Sequence, residues 1–251
     1  MRLQRRPFLR LAGIALGVFL GFPAVAQNTG LDLFHKMQQA LGGAAKIAAI
    51  HDLDWTVMAD TFDHDGKVIG RVIKRTRWIR PNYLRLDQIG PGDTYVLYFD
   101  GTGGWEILPD KRMLALAGGE LEFARGYLSG FLLNQWLADR SGGFVITSPS
   151  PNVVRLSANG KGTDITLDPV SYLPVKTLGI SLADPSRPAT SEGDTLEWMR
   201  VQGVSFPAHL RNSSSGDGSA DIRTEKLLLN SALNPQVLAI KPADLKPVVA
   251  P

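Results

Sequence analysis

The chain has 251 residues, 44% hydrophobic and 20% charged, and no cysteine. This is the composition of a globular protein, and it excludes disulfides, a thiolate nucleophile, cysteine-ligated zinc and a lipid-modified cysteine. The net charge of +3 comes from Arg2, Arg5, Arg6 and Arg10; with those four set aside, 23 of the 27 basic residues face 24 acidic ones. Global charge therefore excludes a nucleic-acid or anionic-membrane function.

Residues 1–26 are expected to be a cleaved export signal. The cationic start is followed by the apolar run Leu11–Leu20, and Ala24-Val25-Ala26 supplies small residues for cleavage. Gln4-Arg5-Arg6-Pro7-Phe8-Leu9 resembles a twin-arginine motif, and the general secretory route is the alternative. Either route delivers residues 27–251 to the periplasm as a single domain without a stable membrane anchor. No later segment reaches eighteen uninterrupted apolar residues.

Thr29–Leu41 reads as the first helix. Thr29 is placed to cap it, and Leu31, Phe34, Met37 and Leu41 share one side. Gly42-Gly43 ends it, and Ala44–Ile50 reads as a second, short helix. At Leu53 the period falls to two, with Leu53, Trp55, Val57 and Ala59 alternating with polar residues. Hairpin pairs recur at Asp65-Gly66, Asp100-Gly101, Asn159-Gly160 and Asp217-Gly218. Strands are expected at 53–62, 68–79, 83–89, 94–100, 104–109, 112–116, 144–149, 153–158, 163–168, 174–181, 194–201, 204–211 and 220–230. Their spacing predicts a mainly β protein with helices (α+β), built on one large antiparallel sheet, curled or closed.

One long helix, Glu120–Arg140, is expected to interrupt the strands. Leu121, Ala124, Leu128, Phe131, Leu132 and Trp136 form its broad apolar face, with Leu133 and Leu137 on nearly the opposite side. Tyr95 to Phe99 are apolar on both faces of their strand, so a sheet wrapped around a helix accounts for both features. Alternation then predicts that Trp55, Val57, Tyr95, Leu97 and Phe99 meet Leu128, Phe131, Leu132 and Trp136 around an apolar space, with a packed core as the alternative. Ala183–Asp194 reads as a polar surface loop, and the tail from Asn234 is punctuated by prolines.

Catalytic motifs are missing from the sequence. His51, Asp54, Asp63, His64 and Asp65 lie close in sequence, but Asp63-His64-Asp65-Gly66 has the composition of a hairpin tip rather than a metal site. Nucleophile-elbow, zinc-protease and phosphate-loop patterns do not occur. A binding protein without enzyme activity, metal or cofactor is expected. The six basic residues of Lys67–Arg80, without an acid among them, read as a solvated sheet face or as a cationic rim for an anionic head group.

Trp78-Ile79-Arg80-Pro81-Asn82-Tyr83-Leu84-Arg85 followed by Tyr98-Phe99-Asp100-Gly101 resembles the periplasmic lipoprotein-carrier (LolA/LolB-like) superfamily. Asp168-Pro169 through Leu173-Pro174, and Val201 through Phe206-Pro207, are similar to segments of the same superfamily. The resemblance implies an unclosed antiparallel half-barrel, N-terminal helices, and an inserted lid helix over a concave face that receives acyl chains. It also implies that Arg80, directly before the proline, latches the lid, reaching the end of Glu120–Arg140 or Asn134 and Gln135. The function implied is carriage of a hydrophobic ligand, a lipoprotein's acyl chains or a lipid. The alternative is an envelope-stress sensor or scaffold that meets an envelope protein partner through Leu133 and Leu137.

Overall fold

The computed structural model describes residues 24–90, 94–182, 191–214 and 218–242. The expected export signal lies outside them up to residue 23, as does most of the polar loop expected at 183–194.

Two-residue alternation produces strands wherever it occurs, thirteen among the described residues. They are β1 (Asp52–Phe62), β2 (Val68–Ile79), β3 (Tyr83–Ile89), β4 (Thr94–Phe99), β5 (Gly104–Ile107), β6 (Met113–Ala115), β7 (Val145–Ser150), β8 (Val153–Ala158), β9 (Lys161–Leu167), β10 (Pro174–Ser181), β11 (Ser191–Val201), β12 (Val204–Ser214) and β13 (Gly218–Leu229). Tight turns set the register. Asn159-Gly160 takes φ of 50° and 74° between the paired Ala158 and Lys161, the two-residue hairpin that matches strand twist. Asp100 accepts from the backbone N–H groups of Thr102 and Gly103 at 2.9 and 2.8 Å.

All strands join one antiparallel sheet in the order β6-β5-β4-β3-β2-β1-β13-β12-β11-β10-β9-β8-β7. The first and last strands pair at its centre, and the chain meanders outward from both. The edge strands β6 and β7 do not pair with each other, so the sheet stays unclosed. The connection between these edges is helical and covers the concave face: α3 (Gly118–Ser129), α4 (Leu132–Gln135) and α5 (Ala138–Ser141). Two helices precede the sheet, α1 (Ala24–Leu41) and α2 (Ala44–Ala48), and α6 (Pro235–Leu238) follows it.

The expected single helix Glu120–Arg140 is thus three pieces. Gly130 ends the first, and Phe131 is extended at φ −64°, ψ 134°. The Asn134 side-chain amide donates to the Leu128 carbonyl at 2.7 Å, replacing a helical bond at the break. Glycine at this point makes the interruption inexpensive. The break rotates the second half, so that Leu133 and Leu137 are buried along with Leu128 and Trp136. Both apolar sides of the segment therefore enter one core.

Three boundaries also differ. α1 starts at Ala24 and runs through Thr29, because Ala24 to Gln27 are compatible with helix and nothing stops it there. β11 begins at Ser191 rather than 194. The tail forms α6, capped by the Asn234 side chain, which accepts from Gln236 N–H at 2.8 Å.

A continuous core fills the concave side, from Leu97 and Phe99 on β4 through Trp78, Leu53 and Leu229 to Phe206 and Leu167. A second cluster lies on the convex side, where Leu238 of α6 covers Val96, Tyr98, Trp105 and Ile107. Arg85 fastens this cover by donating to the carbonyls of Leu238 and Ile240 at 2.9 and 2.6 Å. The two-sided apolar pattern of Tyr95–Phe99 is explained by these two covers, lid inside and tail outside.

Candidate ligand-binding site

Where the lid crosses β9–β12 it does not fill the concave face. A cavity of about 450 Å³ remains, within the span of roughly 300–1,000 Å³ usual for small-molecule sites. One end is aromatic: Trp55, Phe131, Trp136 and Trp198, with Leu132, Ile165 and Leu210 beside them. The other is neutral and polar, made by Thr177, Thr195 and Asn212 around Gly193. None of the described lining residues is charged.

Local bonds hold this wall. Trp55 Nε1 donates to Thr224 Oγ1 at 3.0 Å, and Thr224 in turn donates to the Pro207 carbonyl at 2.8 Å, fixing the indole plane. Phe131 lies 5.8 Å from Trp78, and Trp136 lies 5.4 Å from Phe206, so two lid aromatics are keyed into the sheet. Gln135 Nε2 reaches Thr163 Oγ1 at 3.3 Å. A Cβ at Gly193 would sit 2.9 Å from both Asn212 Oδ1 and Thr177 Oγ1, so glycine lets the polar end stay narrow. Burial pushes the Tyr127 phenol above its ordinary value, with Thr76 partly opposing through a hydrogen bond.

The lid is held from α1. Gln38, 2% exposed, donates through Nε2 to the Trp136 carbonyl and to Asp139 Oδ1, both at 2.8 Å. His35 lies 3.4 Å from the other oxygen of Asp139. Helix α1 can lie this low because Gly30 meets the β7 backbone directly; a Cβ there would come within 2.5 Å of the Thr147 carbonyl carbon.

Of the residues expected to enclose the space, Trp55, Phe131, Leu132 and Trp136 line the cavity. Val57, Leu97, Phe99 and Leu128 do not; they are packed into the core, with Leu128 contributed by α3 itself. Tyr95 lies on that side too, donating to Glu106 Oε2 at 3.0 Å, and burial with the nearby carboxylate pushes its phenol well up. The wall from β9 to β12 was not foreseen, since threonine, asparagine and glycine on strands read as surface.

Arg80 is a correction. Its Nε donates to the Ile50 carbonyl at 3.2 Å, with a longer approach of 3.5 Å to the Ile47 carbonyl, and its guanidinium stacks 5.1 Å from the Trp78 ring. It ties α2 and its exit to β2 and does not reach Asn134, Gln135 or the lid. The reason is placement. Arg80 follows the end of β2, beside the turn that leads into β1, where the carbonyls at the end of α2 are the nearest acceptors.

The other arginines of β2 also find partners. Arg71 pairs with Asp60 at 2.7 Å, Arg75 holds Asp54 through both oxygens at 2.8 and 2.7 Å, and Arg77 pairs with Asp87. Asp63 accepts from the N–H groups of Asp65 and Lys67, as a hairpin tip does, and no group of three metal-binding side chains occurs among the described residues.

No protein-family model matches the sequence, and no curated protein matches it. Solved structures do match in shape. A DUF1329 family protein from Desulfovibrio piger superposes with a TM-score of 0.56 at 12% identity, over 85% of this chain and 97% of its own. A domain described as an outer membrane lipoprotein-sorting protein, from Vibrio parahaemolyticus, gives 0.55 at 14% identity, over 85% and 100%. A LolA superfamily protein from Nitrosomonas europaea gives 0.48 at 11% identity, over 84% and 97%. With its unclosed antiparallel sheet and helical cover, the chain shares the fold of the first two of these structures.

Proposed function

We propose that this chain is an exported, non-enzymatic carrier that holds an acyl chain of a lipid or lipoprotein between its lid and its sheet in the periplasm. The observation that carries the reading is the cavity of about 450 Å³, aromatic and aliphatic at one end and free of charge along its described lining. Each methylene moved from water into such a space contributes roughly 0.8 kcal/mol, so a long chain binds without a shape-specific slot. A lid broken into three helices suits entry and release, because one piece can shift without unwinding a single continuous helix. Burial of Leu133 and Leu137 removes the apolar outer face that a protein-contact role would use, which favours the carrier over the scaffold.

The likeness to a lipoprotein-sorting domain agrees with this reading, and no helix among the described residues is long and apolar enough to cross a membrane. An environment-sensitive fatty-acid probe should bind saturably to the purified protein and be displaced by phospholipid or lipopeptide. Mass spectrometry of organic extracts should find co-purified acyl lipid. Absence of saturable probe binding would overturn the proposal.

A further inference from the structure

Side chains of β2 alternate between two very different settings. Arg71, Arg75 and Arg77 project from the convex face, and each meets a carboxylate there. Thr76 and Trp78 project into the concave face, where both are buried. Lys74 shares the face of the second set and is part-buried. It pairs across β1 with Val57, a core residue, and across β3 with Gln88, which follows the core residues Leu84 and Leu86 on the same face. It is the next concave position along β2 from Thr76, which lines the cavity.

Among the described residues, no carboxylate forms an ion pair with Lys74. Glu106 lies three strands away on β5 and accepts from the Tyr95 hydroxyl at 3.0 Å. Burial alone lowers the Lys74 pKa, with no neighbouring charge to offset it. An ammonium in this position is costly without a counter-charge, and its neighbours on the convex face show that this chain pairs its cations where it can. The lysine stem is long and flexible, and its head is a point charge with three donors, able to reach an anion at the cavity margin.

We propose that Lys74 binds the anionic head, carboxylate or phosphate, of an amphiphile whose apolar tail occupies the cavity. This inference rests on the acyl-carrier reading of that cavity. A charge-assisted bond to the head would then set selectivity, while the tail supplies most of the affinity.

The test uses three probes with one tail: laurate, dodecyl phosphate and methyl laurate, titrated against the full-length mature protein and followed by tryptophan fluorescence. Wild type is expected to bind at least one of the anions about tenfold or more tighter than the ester. Lys74→Met should remove that preference and leave ester binding unchanged, and Lys74→Arg should restore it in large part. The anion that loses affinity identifies the source, a fatty acid or a phosphate ester. Lys74→Gln, read by the same ratio, serves if the methionine variant does not fold. An anion-to-ester ratio that does not change in the variants, with the ester still binding, overturns the role of Lys74 and leaves the carrier reading standing. Failure of all three probes to bind overturns both.

Discussion

The two halves of the sheet treat the same lid differently. Under α3, strands β3 and β4 present Leu84, Leu86, Leu97 and Phe99, and the space is solid. Under α4, strands β10 to β12 present Thr177, Gly193, Thr195 and Asn212, and the space is hollow. Large aliphatic side chains in alternation interdigitate with a covering helix and leave no room for a ligand. Short neutral polar side chains satisfy strand geometry but cannot reach the lid, so a gap remains. In this fold the binding region is therefore marked by where large apolar residues stop.

The sharpest way to break the comparison is to truncate one large residue in each half. Phe99→Ala removes a side chain 1% exposed and should cost about 3–5 kcal/mol, measured by urea or thermal denaturation. Leu210→Ala, on the part-buried cavity wall, should cost clearly less, because one side of that leucine already faces the gap. The binding effects should run the other way, with Leu210→Ala altering probe affinity and Phe99→Ala leaving it near wild type wherever the protein remains folded. Equal stability losses would show that the two halves are packed alike.

The lid's attachment gives the next effect. Gln38 is the buried donor that joins α1 to both the Trp136 carbonyl and Asp139. Gln38→Ala leaves those acceptors without it and should cost about 1–3 kcal/mol. The loss should be local. Amide hydrogen exchange is expected to rise across 132–141, over the hollow half, while β3 and β4 keep their protection. Uniform loss of protection across both halves would mean that the lid does not open as a unit separate from the packed half.

Much of this architecture was legible from the residues, and the failures share a cause. Alternation and Asp-Gly or Asn-Gly pairs located the strands because both are local backbone signals. The Glu120–Arg140 segment misled because its three- and four-residue spacing continues through Gly130-Phe131, while the break depends on the Asn134 bond and on packing against Trp78. The resemblance puts Arg80 at the lid, but a motif cannot say which neighbouring carbonyls lie within reach of the guanidinium. Trp55 and Trp136 were found as cavity residues because they are large; Thr195 and Asn212 were missed because a void has no pattern of its own. Lys74 was hidden in a basic run that reads as one solvated face, although alternation separates it from Arg71, Arg75 and Arg77.

The smallest expected effect concerns the convex side of the packed half, where charge rather than apolar packing joins β1 to β2. The Arg75 side chain, hydrogen-bonded to both oxygens of Asp54, holds that carboxyl below its ordinary value of 3.8, with the nearby Arg77 and Lys226 adding to the effect against burial. A folded-state pKa below the unfolded one favours the native state once the carboxyl is ionised in both. The contribution is therefore fully present above about pH 4–5 and fades as pH falls through the unfolded and then the folded value. Because the Arg75 side chain is 47% exposed, the pair is worth no more than about 1 kcal/mol. Asp54→Asn should accordingly lower the melting temperature slightly at pH 7 and much less at pH 3, where wild type has lost part of the same contribution. None of the described residues lining the cavity is charged, so probe binding corrected for the unfolded fraction should not follow that variant at either pH. A binding change that tracks Asp54 would mean that the convex pairs and the hollow half are coupled through β1, whose Trp55 is the next residue in sequence and lies on the opposite face.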